Sequence, residues 1–240
     1  AISGKVVTYS VTLIEGWTFS RLRNSIESTE HLVPDSVGMS DKEILKLLGS
    51  AYDQAEGLFF PDTYFSIRGD TGLSQFRRAY QAMERKLEEA WAERDPAFPL
   101  ADSYAALILA SIIEKEAAVD EERRRIAGVL LNRLQKNMPL QVDPTIIYGL
   151  GPGFDGDLTK EHLRTDGPYN TYTRRGLPPT PISNPSFNSL LAAVRPLNTT
   201  ELFFVSRGDG RHEFSNTLEE HQRAIRRYKI HRDKRSARQL

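Results

Sequence analysis

A run of large aliphatic residues that ends in a pair of glutamates limits the fold of this chain more than any other feature. The run reads ALILASIIEKEA and covers residues 106–117. It predicts an apolar helix that starts at Asp102 or Ser103 and includes both glutamates. Charged side chains are rarely buried unless they have a partner. The two carboxyl groups therefore raise the question of whether either of them serves chemistry.

The two glutamates point in different directions from this helix. Successive helix residues are about 100° apart, so Glu114 and Glu116 differ by roughly 200° and cannot both face one cleft. The helix neighbours of Glu116 include Ile112, Ile113 and Val119, whereas those of Glu114 are small residues. Desolvation by large aliphatic groups raises a carboxyl pKa, which a general acid needs near neutral pH. Glu116 is therefore the better acid candidate, and Glu114 suits close packing or a supporting hydrogen bond.

The segment 139–200 predicts long ordered loops. Its short apolar pieces are separated by Pro, Gly, Asn and Thr, and binding residues tend to lie in loops of this kind. The loops carry side chains that hydrogen-bond or stack, namely Gln141, Asp143, Tyr148, Asn170 and Tyr172. Such a set around one carboxyl group suits a sugar polymer, because hydroxyl groups bind amides and carboxylates while sugar rings rest on aromatic faces.

The first half of the chain predicts a small α+β module followed by one long helix. Residues 5–14 are typical of a strand, Thr18 can cap a first helix, and a capping box at Ser40 starts a second helix. An amphipathic helix is expected at 74–94, with an aromatic stripe that indicates packing. The proline-bearing segment 94–102 then marks a domain boundary.

The second half predicts helices followed by a small β element, which makes the fold class α+β. After the apolar helix, a second helix is expected from Asp120, with Glu121 and Glu122 in its first turn. A short helix at 186–194, a strand at 201–206 and a last helix from about 217 complete the domain.

Composition excludes several classes of function. The chain has no cysteine, so it has no disulfide, thiolate metal site or cysteine nucleophile. Lys plus Arg equals Asp plus Glu at 32 each, which argues against a nucleic-acid binder.

The basic segment 221–240, with eight Lys or Arg against one Asp, is best interpreted as a solvated terminal helix and tail. The five histidines show no metal-binding spacing, so we predict no metal and no cofactor. No apolar run approaches the length of a membrane span.

Several long motifs resemble one bacterial family. They are ASIIEKEA (110–117), GVLLNRL (128–134), LQVDPTIIYGLG (140–151), YNTYTRRGLPPTPISNPS (169–186) and FFVSRGDGRHEFSNTLEEH (203–221). In this order they closely resemble the YceG-like endolytic murein transglycosylases. The segment 7–22 is similar to the LysM-like module of that family, and 56–64 to its linking segment. The resemblance implies a LysM-like module at 1–50, a linking segment with the long helix at 51–98, and a catalytic domain with long ordered loops at 99–240.

The resemblance also implies an activity. A member of this family would cleave the β-1,4 bond between MurNAc and GlcNAc in peptidoglycan without water, and would terminate or trim nascent glycan strands. The catalytic glutamate of the family lies in its Glu-Lys-Glu motif and maps onto Glu116. Glu116 would first protonate the glycosidic oxygen, and would then act as base toward the C6 hydroxyl group of MurNAc, which closes a 1,6-anhydro ring. Asp143 would organise the loop or bind sugar, because no second catalytic carboxylate is required. One departure from many lytic transglycosylases is Ala117, which stands where they have a hydroxyl residue.

The expected substrate-binding residues come from the acidic pair, the loops and the last motif. They are Glu114, Gln141, Asp143, Tyr148, Asn170, Tyr172, Asn216 and His221. Two other functions stay open, a noncatalytic glycan-binding scaffold of the wall-synthesis machinery and a muramidase-type hydrolase. The first module could bind glycan, or serve as a spacer or a protein-docking piece.

The family resemblance implies a cellular context as well. It predicts an inner-membrane anchor outside this chain, a catalytic body in the periplasm, and glycan strands as the substrate. Penicillin-binding proteins are the expected protein partners. The absence of cysteine is compatible with an oxidising compartment.

Overall fold

The computed structural model describes residues 7–95 and 98–236, with side chains up to Tyr228 in the last helix. Within these residues the protein mixes nine α-helices with four short strands, so the predicted α+β class is confirmed. The first two residues of the predicted first strand and most of the basic tail's side chains lie outside the described part.

The first module is built on a two-stranded antiparallel sheet. Strand β1 (Thr8–Thr12) pairs with β2 (Thr63–Ile67), and Thr8 stands opposite Ile67. Helices α1 (Phe19–Glu27) and α2 (Asp41–Leu48) lie between the two strands in the chain. Both predicted helix starts are confirmed: the Thr18 side chain accepts a hydrogen bond from the Arg21 amide, and Ser40 forms a capping box with Glu43.

Helix α3 (Gly72–Ala92) is the predicted long amphipathic helix, and it packs against the second half of the chain. Phe76, Tyr80 and Met83 of the aromatic stripe are buried, and Phe76 contacts the rings of Phe19 and Phe59. The stripe therefore serves packing, as expected from its spacing.

Helix α4 (Ser103–Glu116) is the apolar helix, and it lies at the centre of the fold. The Asp102 side chain caps it, and every residue from 106 to 113 is buried. Helices α5 (Arg123–Gln135) and α8 (Phe187–Val194) pack on it. The predicted helix start at Asp120 falls on a single 3₁₀ turn that leads into α5, because the first turn of this segment is tightened, as is frequent at helix N-termini.

Loops and short elements complete the second half of the chain. The loops after α5 contain α6 (Asp143–Leu150) and α7 (Lys160–Arg164). Strand β3 (Phe203–Ser206) then pairs antiparallel with β4 (His212–Ser215), and α9 (Leu218–Ser236) packs on this hairpin.

The two halves share one core. A single cluster of buried apolar residues extends from Val11 to Val194. Asn184 also joins the halves: its side-chain oxygen accepts the Phe59 amide at 3.1 Å, and its side-chain nitrogen donates to the Trp17 carbonyl at 2.9 Å. The domain limits expected from the sequence stay a prediction. In the part of the chain that the structure describes, no helix combines the length and apolarity needed to cross a membrane.

Candidate active site

A cleft of about 570 Å³ opens beside the C-terminal end of α4. Its lining comes from the last residue of α4, from α5, from the loop that leads into α6, from the β3–β4 hairpin and from α9. Five of the predicted site residues line this cleft together, namely Glu116, Gln141, Asp143, Tyr172 and His221.

Glu116 is the last residue of α4, and this half-buried residue lines the cleft. Burial raises the pKa of Glu116 from its ordinary 4.5 to about 7, and the negative charge of Asp143 contributes to the same shift. Among the described residues, none donates a hydrogen bond to this carboxyl group that would favour its ionised form. A substantial fraction of Glu116 is therefore protonated at neutral pH, and this form can donate a proton to a bound ligand.

Asp143 begins α6 and extends into the same cleft. Its Oδ1 atom accepts a hydrogen bond of 2.6 Å from the Tyr172 hydroxyl group. Burial and this hydrogen bond both raise the pKa of Tyr172, so the phenol stays protonated and keeps donating. The two side chains therefore form a fixed polar pair near Glu116.

Arg133 orders the loop that carries Gln141, and sequence reasoning missed it. Its guanidinium group donates to the carbonyl oxygens of Pro139, Leu140 and Leu202 and to the Gln141 side chain, at 2.6–3.1 Å. Gln141 has a φ of +52°, a backbone conformation that side chains other than glycine rarely adopt. The signal available in the sequence was a charged residue inside the mostly apolar motif GVLLNRL.

The β3–β4 hairpin and α9 supply aromatic and imidazole groups to the cleft. The His221 ring stacks on Phe203, with centroids 5.1 Å apart and planes 22° apart. Burial lowers the pKa of His221, and the charge of Arg133 lowers it further, so the imidazole is neutral at neutral pH. Its Nδ1 atom is buried and has no hydrogen-bond partner in the described part of the protein.

His212 also lines the cleft, and its ring is held by Glu122. The Nδ1 atom of His212 lies 2.8 Å from Oε2 of Glu122, and the His212 amide lies 3.1 Å from both carboxylate oxygens. Sequence reasoning missed this pair, because the two residues are 90 positions apart and carry no local signal.

Glu114 lies outside the cleft, on the other side of α4. Its carboxylate accepts hydrogen bonds from the Ser186 amide and from the hydroxyl groups of Ser186 and Ser189, and it pairs with Arg123 at 3.1 Å. Its side chain is only 7% exposed. These contacts fit the supporting role expected for Glu114 and leave it no route to a ligand in the cleft.

The remaining three predicted binding residues also lie away from the cleft. Tyr148 packs edge to face on Tyr169, with centroids 4.9 Å apart. The Asn170 side chain donates to three backbone carbonyls of the segment 162–165 and so closes that loop. Asn216 is exposed and accepts a hydrogen bond from the Thr200 hydroxyl group. Their partners are therefore parts of the protein itself.

The chain matches one known family over most of its length. A model described as the YceG-like family matches residues 2–227. The chain therefore belongs to the YceG-like family. A 2.6 Å crystal structure of a yceG-like protein from Listeria monocytogenes superposes with a TM-score of 0.75 at 31% sequence identity, and the match covers 91% of this chain and 76% of that one.

Two curated relatives carry the name endolytic murein transglycosylase. The protein of Bacillus subtilis is 38% identical over 173 residues, which are 72% of this chain and 48% of that protein. The protein of Streptococcus pneumoniae is 31% identical over 182 residues, which are 74% of this chain and 32% of that protein. This chain therefore spans about half of the first relative and about a third of the second.

Proposed function

We propose that this chain is the catalytic part of an endolytic murein transglycosylase, which cleaves peptidoglycan strands at the MurNAc–GlcNAc β-1,4 bond and leaves 1,6-anhydro-MurNAc ends. The observation that carries the proposal is Glu116, a carboxyl group with a pKa raised to about 7 at the edge of an open cleft. The names of the curated relatives support the same activity.

In the proposed reaction, one carboxyl group acts twice. Glu116 starts protonated and gives its proton to the glycosidic oxygen as the bond from that oxygen to C1 of MurNAc breaks. The resulting carboxylate then takes the proton of the C6 hydroxyl group, whose oxygen bonds to C1. The proton that Glu116 lost is thereby restored, and no water is consumed. Asp143 needs no covalent role, and its charge keeps Glu116 protonated until a leaving group accepts the proton.

Mass spectrometry of the products from purified peptidoglycan tests this proposal. The wild-type protein should release fragments with ends one water lighter than hydrolytic ends. Glu116→Gln should lower the rate by about a hundredfold or more, since a positioned acid contributes at least that much. Glu121→Gln is the matched control, because Glu121 follows Glu116 by five residues and its side chain is 73% exposed. It should cleave as the wild type does.

A muramidase-type hydrolase is the second candidate, since Asp143 lies in the same cleft as Glu116 and a second carboxylate is what a hydrolase uses to activate water or attack C1. Reducing ends in place of anhydro ends would favour the hydrolase. If the folded wild-type protein binds glycan and cleaves none, the noncatalytic scaffold is the better interpretation.

The cellular context rests on family resemblance. We place the catalytic body in the periplasm behind an inner-membrane anchor outside this chain, with a LysM-like first module and a penicillin-binding protein as partner. Cell fractionation of the full-length protein and co-purification after crosslinking test these assignments. Recovery of the full-length protein in the soluble cytoplasmic fraction would contradict the first.

A further inference from the structure

The cleft contains an imidazole group that the proposed reaction does not use. The ring of His212 lies at the start of β4, and Glu122 ends the 3₁₀ turn six residues after Glu116. The side chains of His212 and Glu122 are 9% and 11% exposed, so the pair is largely withdrawn from solvent. Within the described residues, Glu122 makes no other ion pair.

The contacts of Glu122 determine which nitrogen of His212 carries the proton. A carboxylate can only accept hydrogen bonds, so Nδ1 at 2.8 Å from Oε2 has to be the protonated nitrogen. In the neutral ring, Nε2 is then a hydrogen-bond acceptor. No described residue makes a hydrogen bond to this Nε2 atom.

The orientation of the ring is fixed from several sides. The amide of His212 donates to both oxygens of Glu122, which ties the backbone and the ring to the same carboxylate. Phe204 and Phe214 contact the ring edge to face, with centroids 5.3 and 6.1 Å away. The ring that carries the free acceptor therefore has a fixed orientation at the wall of the cleft before any ligand binds.

We propose that Glu122 and His212 form a carboxylate–imidazole pair that presents the Nε2 atom of His212 to the glycan strand. This nitrogen accepts a hydrogen bond from a hydroxyl group of the sugar chain and positions the strand for cleavage beside Glu116. His212 is a substrate-binding residue, and Glu122 is a positioning residue that acts through it. The proposal rests on the proposed function, because it takes a glycan strand as the ligand of this cleft.

The pair predicts a pattern of kinetic effects. His212→Phe keeps an aromatic ring among Phe204 and Phe214 but removes the acceptor, so KM for glycan strands should rise about tenfold with a smaller change in kcat. Glu122→Gln should raise KM less, because a glutamine still contacts the ring but no longer fixes its tautomer. The double variant should be no worse than His212→Phe alone, since Glu122 acts only through His212. Glu121→Gln is the matched control and should leave KM unchanged.

Nitrogen-15 NMR of the histidine rings gives a readout that a purely structural role would not move. The wild-type spectrum should show the His212 ring in the less common Nδ1–H tautomer, and this signal should be absent from His212→Phe and weaker in Glu122→Gln, where the tautomer is no longer fixed. Addition of glycan strands freed of stem peptides should shift the Nε2 resonance of that ring. An Nε2–H tautomer in the wild-type protein, or an unchanged KM in His212→Phe, would overturn the proposal.

The proposed function and the role of the Glu122–His212 pair can be tested separately. If the wild-type protein releases anhydro ends and His212→Phe binds strands as tightly as the wild type, the pair is wrong and the proposed function stands. If no cleavage occurs, the NMR titration still tests whether glycan binds at His212. Thermal unfolding of each variant checks that it is folded, and His212→Phe alone tests the proposal if Glu122→Gln does not fold.

Discussion

At the scale of single residues, Glu116 owes its raised pKa to two causes. Burial removes water from it, and the carboxylate of Asp143 repels its negative charge. Its place as the last residue of α4 acts in the same direction, because the C-terminal end of a helix disfavours negative charge. Charge on Asp143 and protonation of Glu116 are therefore coupled.

The pH dependence of the reaction should report this coupling. As the pH rises through 7, Glu116 loses the proton that the first step needs, so kcat/KM should fall above that pH. Asp143→Asn removes one cause of the raised pKa, and the falling limb should move to lower pH. Asp157→Asn, in an exposed loop, is the control and should leave the profile in place. A limb that moves to higher pH in Asp143→Asn would contradict the coupling.

The same pKa predicts how Glu116 affects stability. Its folded-state pKa, about 7, lies above the ordinary value of 4.5, so the folded state binds this proton more tightly than the unfolded state. The stabilising contribution is complete below about pH 4.5 and is lost as the pH rises through 7. Glu116→Gln should therefore be more stable than the wild type at pH 8, by about 1–3 kcal/mol. Urea unfolding at pH 5 and pH 8 measures the difference, and a variant that is less stable at pH 8 would refute it.

The sequence predicts the surroundings of a residue well when its contacts come from neighbours within the same helix. The neighbours of Glu116 within its own helix predict its desolvation, and the 200° separation predicts that Glu114 faces elsewhere. Arg133, Glu122 and His212 escaped prediction because their partners are distant in the chain or are backbone carbonyls. Contacts of this kind follow from the packed fold and leave no pattern in a local window of sequence.

At the scale of elements, Glu114 joins three helices. It lies on α4, pairs with Arg123 at the start of α5, and binds the amide and hydroxyl groups at the start of α8. An anion at a helix N-terminus is favourable, and here it is also buried and hydrogen-bonded. The start of α4 was predictable from its cap, whereas this connection between α4 and α8 was not.

Glu114→Gln should weaken this joint and leave the chemistry intact. A neutral amide removes the charge that Arg123, Ser186 and Ser189 bind, while Arg123 keeps its contact with Asp120 at 2.9 Å, so we expect a loss of about 1–3 kcal/mol in the free energy of unfolding. Glu89→Gln, which breaks an exposed pair with Lys86, is the control and should cost less than about 1 kcal/mol. Because Glu114 is outside the cleft, kcat should stay within about twofold of wild type at a temperature where the variant is folded. A hundredfold loss of kcat in Glu114→Gln would contradict the assignment of Glu116 as the acid.

At the scale of the whole molecule, the first module and the second half of the chain pack together around one core. The apolar core runs through both, and Asn184 binds backbone groups of the first module at Trp17 and Phe59. Composition and proline placement predicted a boundary near residues 94–102. They could not predict whether the parts on either side would share a core, since that depends on faces that meet only in the folded chain.

A shared core predicts a single unfolding transition. Asn184→Ala removes two hydrogen bonds between the halves and leaves the Phe59 amide unpaired, so the free energy of unfolding should fall by about 1–3 kcal/mol. The transition should remain single, because both halves lose their common core together. Asn188→Ala, which removes an exposed hydrogen bond to Asp120, is the matched control. Calorimetry measures both, and two separate transitions, of which only one shifts, would contradict the joined arrangement.

The complete burial of the middle of α4 also limits the motion of Glu116. A helix enclosed on all sides cannot open without its neighbours, so its amide hydrogens should exchange with solvent only through global unfolding. Glu116, at the end of this helix, therefore keeps its place for as long as the molecule is folded. Slow hydrogen exchange in α4, against fast exchange in the largely exposed segment 151–158, would show that the acid is held by the most stable part of the protein.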